Sequence, residues 1–122
     1  MITWLAAALG GTLGTLARHA VNVAFARAIR PAPYATATVN LVGSFVIGAL
    51  AGAIAGGRLM MPSALRAFVF VGILGGFTTF SSFMLDTLAL AEGGAMAAAF
   101  ANVAGQTIVG LLITFAAYRL FL

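Results

Sequence analysis

The chain has 122 residues, of which 63% are hydrophobic and 7% charged, and a mean hydropathy of +1.15. A soluble domain carries about 25% charged residues, so this is the composition of an integral membrane protein. At roughly 20 residues per crossing the length holds four transmembrane helices in one domain over residues 1–122, with no room for a soluble catalytic domain. The charge of +4 would suggest nucleic acid as a partner for a soluble chain, but arginines near predicted helix ends suit lipid phosphates and topology. The absence of cysteine removes disulfides, thiolate metal sites and cysteine nucleophiles.

The first predicted helix covers about 3–25. It lacks a basic leader and is long enough to span, so it reads as a retained helix and not a signal peptide. Gly10 and Gly14 form a GxxxG pair suited to close helix approach in lipid. Arg18 either snorkels to the interface or faces a water-filled vestibule and attracts an anion. Pro31 and Pro33 break the chain before the second helix, which is predicted over about 36–56. That helix carries Gly48, Gly52 and Gly56 at four-residue spacing, and Asn40 inside the span, whose amide must find partners across helices or along a polar pore.

The third predicted helix starts near Ala64 and resumes to about Leu90 after an unusual stretch, Gly72-Ile-Leu-Gly-Gly-Phe-Thr-Thr-Phe-Ser-Ser-Phe83. A loop-like composition at bilayer depth is tolerated only where freed backbone is buried in protein or lines a wet cavity. A break around Gly75 and Gly76 would free carbonyls; two such breaks meeting at a dimer axis could surround an alkali cation with oxygens. Alternatively, the hydroxyls of Thr78 and Thr79 satisfy the break, or it is a mere kink. Phe80 and Phe83 share a helical face, and their positive ring edges, with the hydroxyls of Thr79, Ser81 and Ser82, could pass a small anion; packing is the plainer reading of the same rings. Asp86 reads as a solvated carboxylate near the interface. The fourth predicted helix, about 96–122, places Asn102 and Gln106 on one polar face, with Tyr118 and Arg119 as interface anchors.

Four spans put Arg58, Arg66 and Arg119 on one side and Arg27 and Arg30, with Arg18 towards them along the first helix, on the other, so the positive-inside rule has almost nothing to act on. The expected assembly is an antiparallel, dual-topology homodimer. No carboxylate lies in the first, second or fourth helix, and lone His19 cannot build a zinc site or a triad, so an enzyme is not expected.

Four motifs, Gly10-Gly-Thr-Leu-Gly-Thr-Leu-Ala-Arg18, Thr38-Val-Asn-Leu-Val-Gly-Ser-Phe45, Gly75-Gly-Phe-Thr-Thr-Phe-Ser-Ser-Phe83, and Asn102-Val with Gly110, resemble those of the Fluc or CrcB fluoride channels over nearly the whole chain. The resemblance implies a dual-topology homodimer in the cytoplasmic (inner) membrane, with two fluoride pores and a structural sodium ion on the two-fold axis, held by the carbonyls of Gly75 and Thr78. It implies Phe80 and Phe83 as pore phenylalanines, Asn40 as a vestibule or pore ligand, Arg18 near the entrance, and Ser81 and Ser82 along the path. Ser82 stands where threonine is common, and Gln106 where a small hydroxyl residue is expected, so its longer amide alters the width or polarity of the path. The function implied is passive fluoride efflux. A small multidrug exporter is the alternative; it expects a buried glutamate in the first helix, which this chain lacks. A purely structural subunit packed through its glycines is the third reading, and it leaves Asn40 and the hydroxyl cluster unexplained.

Overall fold

The computed structural model describes residues 1–28 and 32–122; Arg30 and Pro31, both used in the sequence reading, lie outside them. No strand occurs among the described residues. Helix α1 is Ile2–Arg27 and α2 is Ala32–Ala55. Helix α3 covers 63–77, with wider π-type winding at Ala67–Leu74. Helix α4 is Phe80–Glu92, and α5 is Met96–Phe121, with π-type winding at Gly105–Val109.

By length and composition, three stretches can cross a membrane: α2, the α3–α4 unit Ser63–Glu92, and α5. Helix α1 matches them in length at 26 residues, about 39 Å at 1.5 Å per residue, but its glycines, threonines and Arg18 make it less apolar. Its exposed Leu5, Leu9, Leu13 and Leu16 recur at helical spacing and form an apolar stripe.

Helix α2 begins at Ala32, earlier than predicted, because Pro33 sits in its first turn. There the missing N–H would have had no intrahelical acceptor, so proline starts this helix and does not block it. The two tight turns end helices in the same way. Gly57 and Gly94 adopt φ of 71° and 79°. The next N–H groups, of Arg58 and Ala95, then reach back to the Ala53 and Leu90 carbonyls at 2.9 Å each, the pattern of a Schellman cap.

Two helix pairs are drawn together by small residues. Gly10 and Gly14 of α1 lie against the Phe68 and Ile73 carbonyls of α3, and a Cβ on Gly72 would sit 2.7 Å from Gly10 Cα. On the other side, Gly48 and Gly52 of α2, and Gly56 just past its end, face the backbone of Thr114, Tyr118 and Leu122, so one four-residue ridge meets another. Lipid supplies no hydrophobic drive between helices, so such close van der Waals contact has to hold them. The interior is correspondingly thin: Val39 is fully buried, and the other buried apolar residues include Ala35, Ala99 and Ala117. Thr114 Oγ1 also donates to the Ser44 carbonyl at 3.0 Å, tying α5 to α2.

Asp86 departs from its expected solvated state. The buried Thr36 hydroxyl of α2 donates to Asp86 Oδ2 at 2.5 Å, so a half-buried side chain of α4 anchors that helix to α2.

Gly52→Leu places a side chain against the Tyr118 backbone, which cannot rotate away. It is expected to cost about 2–3 kcal/mol or more by overpacking, read as a lowered unfolding midpoint in detergent. Gly11→Ala, where nothing lies within 4 Å, is expected to stay within about 0.5 kcal/mol of the unmodified protein. Equal stability of the two variants would contradict this account of α2–α5 packing.

Candidate functional site

The third span is interrupted, but not at its glycines. Gly75–Phe77 remain helical, and the chain becomes extended at Thr78 (φ −83°, ψ 162°) and Thr79 (φ −153°, ψ 117°). Gly76 instead permits close approach: a Cβ there would lie 2.6 Å from the Gly11 carbonyl oxygen of α1. β-Branched residues favour extended backbone, and threonine hydroxyls can replace lost helical bonds, which the glycines cannot do. Thr78 Oγ1 donates to the Leu74 carbonyl at 2.8 Å, beside the Thr78 N–H that bonds the same oxygen at 3.0 Å and closes the last turn of α3. Thr79 Oγ1 caps α4 by accepting from the Ser82 N–H at 3.2 Å, and it donates to Ser82 Oγ at 3.0 Å. Ser81 Oγ, on an exposed residue, lies 3.4 Å from the same hydroxyl.

The freed peptide groups of Thr79 are met from α2. Its N–H would donate to the Gly75 carbonyl in a continuous helix; here it donates to Asn40 Oδ1 at 2.9 Å, while Asn40 Nδ2 donates to the Thr79 carbonyl at 3.1 Å. The asparagine amide thus pairs with Thr79 as a neighbouring strand would. The carbonyl of Gly75, on an exposed residue, loses its i+4 donor.

The polar contacts continue in one direction. An N–H can only donate, so Thr79 N–H settles which end of the Asn40 amide is oxygen. The second Asn40 Nδ2 proton goes to Gln106 Oε1 at 2.7 Å, Gln106 Nε2 donates to Asn102 Oδ1 at 2.9 Å, and Asn102 Nδ2 donates to Thr87 Oγ1 at 2.9 Å. Thr87 Oγ1 passes its proton to the Phe83 carbonyl at 2.7 Å. The shared face of Asn102 and Gln106 was legible from their spacing. Thr87 was not singled out, since a threonine four residues after a phenylalanine carries no signal.

Arg18, placed by the resemblance near an entrance, reaches the break itself, where Nη1 donates to the Thr78 carbonyl at 3.2 Å. A cation at the carbonyl end of α3 is electrostatically favourable, as at any helix C-terminus. Phe80 and Phe83 meet edge to face, with centroids 5.9 Å apart and planes at 66°. They occupy different surroundings: Phe80 is 74% exposed and Phe83 6%. Asn40, Ser44, Gly75, Thr78, Thr79 and Phe80 line an open cleft of about 370 Å³ beside the break. A second cleft, of about 410 Å³, is lined by Tyr34, Leu41, Asn102 and Gln106 among others, so the Asn40–Gln106 bond joins residues of two clefts.

Among the described residues, no three of His, Cys, Asp and Glu come together as metal ligands. Oxygen atoms offered to a cation here would therefore be backbone carbonyls or neutral side-chain oxygens.

A protein-family profile described as CrcB-like protein, Camphor Resistance (CrcB), matches residues 5–118. The chain is 49% identical over 109 residues to the fluoride-specific ion channel FluC of Rhodospirillum centenum, a match covering 88% of this chain and 85% of that protein. It is 46% identical over 112 residues to the protein of the same name from Nitrobacter winogradskyi, covering 89% and 88%. It is 43% identical over 124 residues to that of Methylobacterium sp. strain 4-46, covering 99% of each.

Asn40→Ala removes both bonds to Thr79 and leaves its N–H without an acceptor. The expected loss is about 2–4 kcal/mol, with faster hydrogen exchange at the Thr79 amide. Unaltered exchange at Thr79 would show that Asn40 does not hold the break.

Proposed function

Because this chain belongs to the CrcB family, we propose that it is a fluoride channel, a multi-pass membrane protein that passes fluoride down its gradient. No ATP and no covalent chemistry take part, so it is not an enzyme. The observation that carries this reading is the opened span, whose extended threonines are clasped by Asn40 beside an edge-to-face phenylalanine pair, in a chain whose relatives bear the name of fluoride-specific channels. Fluoride enters an acid-exposed cell as neutral HF and dissociates inside, and the resulting gradient drives efflux across the cytoplasmic membrane. The exporter alternative is not carried forward, since α1 has no carboxylate to move a proton.

A conducting path must replace hydration without holding the ion. Phenyl edges carry partial positive charge, and Phe80 and Phe83 offer them next to the hydroxyls of Thr79, Ser81 and Ser82. Gln106 adds an amide group, with Asn40 bonded beside it, and Arg18 adds positive potential.

The assembly proposed is an antiparallel homodimer. Arginines fall on both sides of the bundle, so topology is weakly directed, and Gly75 and Phe80 line a cleft open at the surface of a single chain. A sodium ion on the two-fold axis would be held by the Gly75 and Thr78 carbonyls of two copies. The residues fit neutral-oxygen coordination: Gly75 is exposed and its carbonyl has lost an amide donor, and the Thr78 carbonyl keeps one lone pair beyond its bond to Arg18. The ion would lock the two breaks together.

Proteoliposomes are expected to release fluoride and retain chloride. Replacing both Phe80 and Phe83 by Ile is expected to slow fluoride release by roughly tenfold, about 1.4 kcal/mol. Unchanged flux would remove the rings from the pathway, and no fluoride release by the unmodified protein would remove the function. A C-terminal tag is expected on both faces of the membrane in about equal shares, as weak charge bias predicts; its confinement to one face would exclude the antiparallel dimer.

A further inference from the structure

The hydrogen-bond directions around Asn40 bear on which amide meets the ion. An asparagine side chain has two N–H protons. One is committed to the Thr79 carbonyl and the other to Gln106 Oε1, the shorter of the two bonds at 2.7 Å. Asn40 therefore has no free donor. Gln106 Nε2 gives one proton to Asn102 and keeps the second, and Gln106 lines the cleft of about 410 Å³. The π-type winding at Gly105–Val109 places Gln106 on a locally widened helix, a feature frequent at functional sites.

We propose that Gln106 is a specificity-determining residue of this chain: by occupying the last donor of Asn40 it makes Asn40 a strut for the helix break and moves the free amide N–H that meets the anion to its own Nε2. A serine at this position is too short to bridge to Asn40 in the same way and would leave the asparagine proton available. The length of the glutamine side chain thus decides which residue solvates the ion. A side-chain amide ties the donor to two further groups, Asn102 and Thr87, so its orientation is held by the chain of bonds and not by the ion.

This inference rests on the fluoride reading, and the test separates the two. The unmodified protein, ¹⁵N-labelled in detergent and active in liposomes, is titrated with sodium fluoride against sodium chloride while side-chain amide resonances are followed. The Gln106 amide is expected to shift saturably with fluoride and the Asn40 amide to stay in place. In Gln106→Met, which keeps the length without an acceptor, and in Gln106→Ser, the fluoride-dependent shift is expected to move to Asn40. A shift of Asn40 in the unmodified protein, or no shift of Gln106 while liposomes still release fluoride, would overturn the proposal. The titration of the unmodified protein decides the matter even where a variant does not fold. Absence of fluoride release would instead count against the function itself.

Discussion

A helix can stand open in the middle of a bilayer only if the peptide groups exposed by the opening find other polar groups, because lipid offers none and each unsatisfied group costs several kcal/mol. In this chain one side chain meets that demand at Thr79. Asn40 has the shape of a peptide group, with an acceptor and a donor side by side, and it pairs with both polar groups of Thr79 at 2.9 and 3.1 Å. An aspartate would set an oxygen against the Thr79 carbonyl. A leucine would leave both groups bare. The extended pair Thr78–Thr79, the cap on α4 and the released Gly75 carbonyl all depend on this contact.

The clasp works because α2 is held in place independently of it. Glycines on α1 and α3, and again on α2 against α5, bring backbones to a separation that no side chain would permit. The resulting bundle has so little interior that polar groups on α2, α4 and α5 are within direct reach of one another. The close packing and the polar chain are therefore two consequences of the same small residues. The Thr36–Asp86 bond adds a separate tie between α2 and α4 beyond the break.

The interruption also sets two opposite helix ends near each other. The carbonyl end of α3 attracts positive charge and is met by Arg18; the amide end of α4 favours negative charge and is partly met by the Thr79 hydroxyl. Partial charges of both signs thus arise side by side from a neutral stretch of backbone. The directed chain from Thr79 through Asn40, Gln106, Asn102 and Thr87 to the Phe83 carbonyl links the break to the buried phenylalanine.

The helical stretches were legible in the residues alone, because a bilayer admits only long apolar runs and glycine marks where they turn; of the four expected to span, three are long and apolar enough to do so. The region of the break was legible too, from hydroxyls and glycines where lipid tolerates neither without cause. Its position was not: glycine is permissive, so the sequence could not say whether Gly75 and Gly76 open the helix or let α1 approach it. That choice was made by the Gly11 backbone packed on Gly76 and by Asn40 waiting opposite Thr79. The pairs that define the site, Arg18 with Thr78, Asn40 with Thr79 and Asn40 with Gln106, lie 60, 39 and 66 positions apart. Helical spacing relates residues three or four apart and is silent at such separations; only the docking of one helix on another decides which amide faces which carbonyl, and with it which protons remain free.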